Sequence, residues 1–224
     1  MNYPFVPEPD IIATHFINSL RASRRDENPY LRWYCKEVFP EALCTAILVL
    51  PIAPPLLGRT DGTRGNYNDQ RTFFTPELRS LYPVCEKLSQ ALQMPDVARQ
   101  FEETCAIKAD GTFLRLEYMQ DLDGMWLEPH RDIPEKVFSM VIYLCTGPYA
   151  KDWGTDIYDH EKKLVKRGNP EFDSGVVFKS GPHTWHGFEP RPIIGVRRLM
   201  EINYVRDWRA RDQLAFPDRP ISTR

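Results

Sequence analysis

The spacing of apolar and polar positions divides the chain into two regimes. Up to about residue 106 helical spacing dominates: in "PDIIATHFINSLRAS", Ile12, Phe16 and Leu20 fall on one helical face. "PEALCTAILVL" opens on Pro40, suited to a first helical turn, and "TPELRSLYPVCEKLSQALQ" offers Thr75 as an N-cap followed by Pro76. Pro83 predicts a kink or break inside that stretch, because proline has no N–H to continue a helix. "PDVARQFEETC" reads as a further short helix. Between these, residues 51–72, "PIAPPLLGRTDGTRGNYNDQRT", are rich in Pro, Gly, Asn and Asp and predict a long irregular loop, the kind that serves as a lid. From Gly111 the pattern changes to short strands broken by turn residues: "TFLRLEYM", "KVFSMVIYL", "GTDIYD", "KLVKRG", "SGVVFKSG" and "RRLMEINYV". The expected fold is therefore mainly β with helical support, an antiparallel barrel or sandwich covered by the N-terminal helices. We expect one domain: residues 1–110 as helical support and loop, 111–208 as the β core, 209–224 as a C-terminal tail.

Composition narrows the class. A chain of 224 residues buries about 70% of its unfolded surface, enough for a core without disulfides. The five cysteines are scattered, with no zinc-ligand spacing, and read as reduced small hydrophobes. The N-terminus has no basic segment leading into an apolar core, and no apolar run reaches membrane-spanning length, so the expectation is a cytoplasmic protein with no membrane partner. A net charge of −2 gives no excess to attract nucleic acid.

Within the β half, "LEPHRD" sets His130 and Asp132 two residues apart. In a strand or strand end, such positions point to the same side, so both can aim inward while Arg131 points away. A third ligand must come from elsewhere, and His183 and His186 both lie in "FKSGPHTWHGFEP". Two histidines and one carboxylate on one face form the ligand set of non-haem Fe(II) oxygenases, which leaves positions open for a co-substrate and dioxygen. Eleven residues beyond His186 an arginine-bearing strand begins. A guanidinium there suits a dicarboxylate co-substrate, which it can grip in bidentate fashion. Alternation places Arg197, Leu199, Glu201 and Asn203 on one face of that strand and Arg198, Met200, Ile202 and Tyr204 on the other. The more polar set favours Arg197 as the interior residue, and a slip of one residue would substitute Arg198.

From about Phe113 to Val205 the chain resembles the 2-oxoglutarate and Fe(II)-dependent oxygenases, in the prolyl-hydroxylase-like branch. The pieces occur in family order: "LEYMQDLDGMWLEPHRD", then "VIYLCTG", "DWGTDIYD" and "TWHGFEP...GVRRLMEINYV". "NPYLRWYCKEVFPEALC" looks more loosely like that branch's opening helix. The resemblance implies a double-stranded β-helix, or jelly-roll, core. It places the iron ligands at His130, Asp132 and His186, with His183 as competitor for the third, and the co-substrate arginine at Arg197. The family often has Ser two residues after that arginine, where this chain has Leu199, so Tyr118 and Tyr143 become candidates for a phenol contact to the co-substrate. Glu201 and Asn203 would reach toward the substrate, unless Glu201 pairs with one of the two arginines. Trp126, Trp153 and Trp185 are candidates for the pocket mouth.

The implied cofactors are Fe(II), 2-oxoglutarate and O2, with ascorbate as an aid in vitro. The implied reaction is hydroxylation of an unactivated C–H bond with release of succinate and CO2. Asp132 disfavours halogenation, which needs a small residue in its place. A small metabolite is the expected substrate, with a protein or peptide side chain as the alternative. A cupin-like isomerase or binding protein would have no use for the arginine strand, and a zinc hydrolase would need a nearby general base.

Overall fold

The computed structural model describes residues 4–56, 61–63 and 71–224. The first helix, α1 (Pro9–Arg21), buries Ile12, Phe16 and Leu20 on the expected face. Next come two short strands, β1 (Arg24–Asp26) and β2 (Arg32–Cys35), and α2 (Glu41–Leu48), with Pro40 as its N-cap. "RWYC" is thus a strand and not part of an opening helix. Its alternation buries Trp33 and Cys35 against the helices, while its backbone pairs with a core strand.

After β3 (Arg71–Phe73), α3 (Pro76–Leu81) starts at the Thr75 cap, whose side chain accepts the Leu78 N–H, and α4 (Pro83–Leu92) follows directly. The break between them falls at Pro83, whose missing N–H cannot continue the ladder. Then come α5 (Pro95–Cys105) and the strands β4 (Phe113–Asp121), β5 (Leu127–His130), β6 (Lys136–Tyr143), β7 (Asp156–Tyr158), β8 (Leu164–Arg167), β9 (Ser174–Lys179), β10 (His186–Phe188) and β11 (Arg197–Val205).

These strands form two sheets. The larger has the order β1-β2-β9-β6-β11-β4-β3 and the smaller β5-β10-β7-β8, with every pairing antiparallel. From β4 to β11 the chain passes back and forth between the sheets, with only the β7–β8 hairpin staying in one, which makes a jelly roll. Only the outer face of the larger sheet meets the helices. There Met200, Ile202 and Tyr204 of β11 join Phe101 and Leu88, and the Tyr204 hydroxyl donates to the Leu92 carbonyl at 2.7 Å. A second core, including Trp153, Phe178, Phe188 and Leu199, lies between the sheets. All five cysteines are buried free thiols.

The tail beyond residue 209 is an integral part of this packing. The Ala215 N–H donates to Leu114 O and the Ile221 N–H to Thr112 O, with Leu214, Ala215 and Ile221 buried. Half of the loop 51–72, residues 57–60 and 64–70, lies outside the described residues. Its Gly62 rests on Trp126 and accepts the Glu128 N–H at 2.9 Å, so part of it lies along β5. Among the described residues no helix is long and apolar enough to cross a membrane.

Candidate metal centre

His130 ends β5 and His186 begins β10, and the two are direct cross-strand partners. Their ring centroids lie 4.4 Å apart. Each Nδ1 faces a backbone carbonyl two residues back, Glu128 O at 2.8 Å and Thr184 O at 3.0 Å. A carbonyl only accepts, so each ring carries a proton on Nδ1, which leaves Nε2 as the atom to meet an ion. Burial, followed by the neighbouring His186, pushes the His130 imidazolium down to about 4, so this ring is neutral and able to ligate. His183 is exposed on the turn before β10, three residues from this pair.

Asp132 follows β5 with its side chain 6% accessible. Its Oδ1 accepts from Lys136 Nζ at 3.0 Å, and its Oδ2 is buried with no partner. Burial opposes ionisation, but Lys136 and then His186 outweigh it and hold the carboxyl below the usual carboxylate range. Among the described residues no three His, Cys, Asp or Glu side chains are close enough to hold an ion as they stand. Two imidazole Nε2 atoms and one orphaned carboxylate oxygen nevertheless make a donor set that suits Fe(II).

These residues line a cavity of about 470 Å³ between the sheets. Arg197, from the start of β11, lines it as well. Its Nε donates to Trp153 O at 2.8 Å, its Nη1 to Asp121 Oδ2 at 2.5 Å, and its guanidinium lies 4.0 Å from the Phe188 ring centroid. The guanidinium plane is therefore held, and its charge is already partly neutralised by Asp121. Tyr143 sits nearby, its hydroxyl donating to Thr155 Oγ1 at 2.8 Å and accepting the Thr155 N–H at 3.0 Å.

Several expected residues lie elsewhere. Tyr118 and Arg198 occupy the opposite face of the larger sheet, so neither reaches the cavity that Arg197 and Leu199 line. Trp153 is fully buried in the inter-sheet core and its indole donates to Pro192 O, which removes it from the mouth. Trp185 is stacked on the outside by Arg131 and Lys162, beside a shallow cleft that reaches His130. Glu201 pairs with neither strand arginine: Lys136 Nζ lies 2.6 Å from its Oε1. Asn203 is built into the wall, donating to Ser139 Oγ at 2.8 Å and accepting from Arg115.

The cavity also holds residues that the sequence reading passed over: Lys136, Arg115, Trp208 and Gln213. Arg115 is stacked between Phe73 and Trp208, 4.8 Å from each ring centroid.

The architecture matches solved structures over nearly its whole length. A prolyl 4-hydroxylase from Phytophthora capsici superposes with a TM-score of 0.60 at 13% identity, covering 91% of this chain and 67% of that one. The fold is that of the prolyl hydroxylases. A Pseudomonas putida prolyl-4-hydroxylase gives 0.56 at 14% identity, with 88% and 100% covered. A Trichoplax adhaerens prolyl hydroxylase, in complex with a hypoxia-inducible-factor peptide fragment, also gives 0.56, at 15% identity, with 86% and 88% covered. No family model matches the sequence, and no curated protein does. In this chain the helix-backed sheet and the short sheet enclose the cavity, which His130, Asp132, His186 and Arg197 all line.

Proposed function

We propose that this chain is a 2-oxoglutarate- and Fe(II)-dependent dioxygenase that hydroxylates an unactivated C–H bond of a small metabolite. The carrying observation is the meeting of two imidazoles with an orphaned carboxylate oxygen in a cavity that also contains a fixed arginine. His130 and His186 through Nε2, and Asp132 through Oδ2, would hold the metal. Bound Fe(II) and 2-oxoglutarate would let O2 act as the oxidant, one oxygen atom going to the substrate C–H bond and the other into succinate as CO2 is lost.

The residues of the chain prepare that chemistry. Glu128 and Thr184 carbonyls fix the imidazole tautomers. Trp153 O and Asp121 hold Arg197 at the cavity wall, where its guanidinium would meet the distal co-substrate carboxylate, with the Tyr143–Thr155 pair beside it. Phe188, Leu199 and Met119 supply apolar walls. At the substrate side Arg115 lines the cavity, and Trp208 Nε1 is a buried donor without a partner. The indole N–H favours a substrate that carries an acceptor oxygen, whereas the Arg115 charge is already met by Glu117. The cavity volume lies in the range of small-ligand sites.

A peptide substrate is the second reading. It is favoured by the open cleft along Ile133, Pro134, Pro182 and Trp185 that leads to His130, and by the prolyl hydroxylases that share the fold. Succinate release with Fe(II), 2-oxoglutarate and ascorbate, driven by small carboxylic acids or by proline-containing peptides, distinguishes the two. His130→Ala should abolish release with either. Turnover that survives this substitution would refute the metal assignment.

A further inference from the structure

The Asp132 carboxylate is not free to choose how it meets an ion. Lys136 Nζ stands between Asp132 Oδ1, at 3.0 Å, and Glu201 Oε1, at 2.6 Å. The lysine and glutamate side chains are each 13% accessible, so solvent does little to loosen the arrangement. Glu201 Oε1 in turn accepts from Asn203 Nδ2 at 3.1 Å, and the same amide donates to Ser139 Oγ and to Phe138 O. The chain of contacts thus runs from the backbone of β6, through β11, to the candidate metal ligand. Its far end leaves one oxygen of Asp132 occupied and the other without a partner.

Accepting the metal site proposed above, we propose that Lys136 is a positioning residue. It holds Oδ1 of Asp132 and so presents the carboxylate to the metal through Oδ2 alone, keeping a position open that a chelating carboxylate would close. An ammonium has three donors, enough to serve both carboxylates simultaneously. A glutamine has two donors but neither the charge nor the reach of the lysine, and a methionine has no donor at all.

The sign of the effect separates positioning from simple charge. Lys136→Gln removes a cation beside the metal site, and electrostatics alone would then tighten binding of a divalent ion. Loss of positioning would weaken it, by about 10- to 100-fold on the scale of ligand-orienting contacts. The measurement is Co(II) affinity of the full chain by calorimetry, together with the Co(II) visible spectrum, which changes when the carboxylate becomes bidentate. Weaker binding with an altered spectrum is expected.

Affinity that is unchanged or increased, with the parental spectrum, would overturn the proposal. His130→Ala serves as the control. If the parent binds Co(II) and His130→Ala does not, an unaffected Lys136→Gln sinks only the positioning role. If the parent binds no ion, or His130→Ala binds as the parent does, the metal site itself is refuted and the role of Lys136 with it. Should circular dichroism find Lys136→Gln unfolded, the charge-balanced pair Lys136→Met with Glu201→Gln decides by the same criteria.

Discussion

A guanidinium on β11 contributes to the cavity only if it lies on the same face as Leu199 and Glu201, and Arg197 does. Charge-assisted hydrogen bonds are worth about 1.5–3 kcal/mol each, so Arg197→Met should weaken 2-oxoglutarate binding by roughly 10- to 100-fold. Arg198→Met should leave it near the parental value. Titration of the two variants with 2-oxoglutarate in the presence of Mn(II) provides the comparison. Alternation along the sequence already separated these arginines, because one set on β11 is apolar enough to back the helices. The same reasoning did not place Tyr118, since residues 114–121 of β4 are buried on both faces and its hydrophobic pattern carries no inward label. Lys136 was illegible for another reason. A lysine at a strand start ordinarily solvates, and only the fold brings Glu201 from sixty-five residues away to pair with it.

At the scale of elements, the site depends on the shortest strands. β10 has three residues and β5 four, too few for any periodicity to show, yet their pairing sets His130 against His186. Gly187 allows this approach. A Cβ there would lie 2.8 Å from Leu127 O and 3.0 Å from Glu128 O, both backbone atoms that cannot move aside cheaply. Gly187→Ala should cost about 1–3 kcal/mol in denaturant unfolding, and it should also weaken divalent-metal binding by spreading the two histidines. A variant destabilised but with parental metal affinity would mean that β10 and β5 are not what holds the pair together. The longer strands β4, β6, β9 and β11 were readable in the sequence because each spans several alternations. β1 and β2 were not, since they interrupt a stretch whose neighbours are helical.

Across the whole molecule, the helical half is fastened to the barrel at Asp173, in the turn before β9. Both carboxylate oxygens accept the Phe39 N–H at 3.1 Å, and the Val38 N–H donates to the Asp173 carbonyl. Burial pushes this carboxyl up to about 7, against the pull of the Phe39 N–H and the Cys44 thiol. The folded value thus exceeds the unfolded one of 3.8, so the folded state holds an extra proton between about pH 4 and pH 7. Stability from this group is greatest below that window, declines through it, and is level above it. Each tenfold difference in proton affinity is worth about 1.4 kcal/mol, so the decline amounts to a few kcal/mol at most. Urea unfolding of the parent and of Asp173→Asn at pH 5 and pH 8 isolates the contribution. The parent should lose more stability than the variant between the two, and equal losses would remove Asp173 as the cause. The division into helical cover and β core was legible from the change of period near residue 106. The fastening was not, because it joins residues far apart in sequence through main-chain N–H groups.

The five buried thiols acquire a meaning from this chemistry. Burial pushes Cys35 and Cys85 up to about 12 and raises Cys44, Cys105 and Cys145 as well, so almost no thiolate exists at neutral pH. The thiolate is the form that binds soft metal ions and that oxidants attack. With the proposed activity, burial would keep the cysteine sulfurs out of reach of both iron and dioxygen. Metal added to the folded chain is left to imidazole nitrogen and carboxylate oxygen.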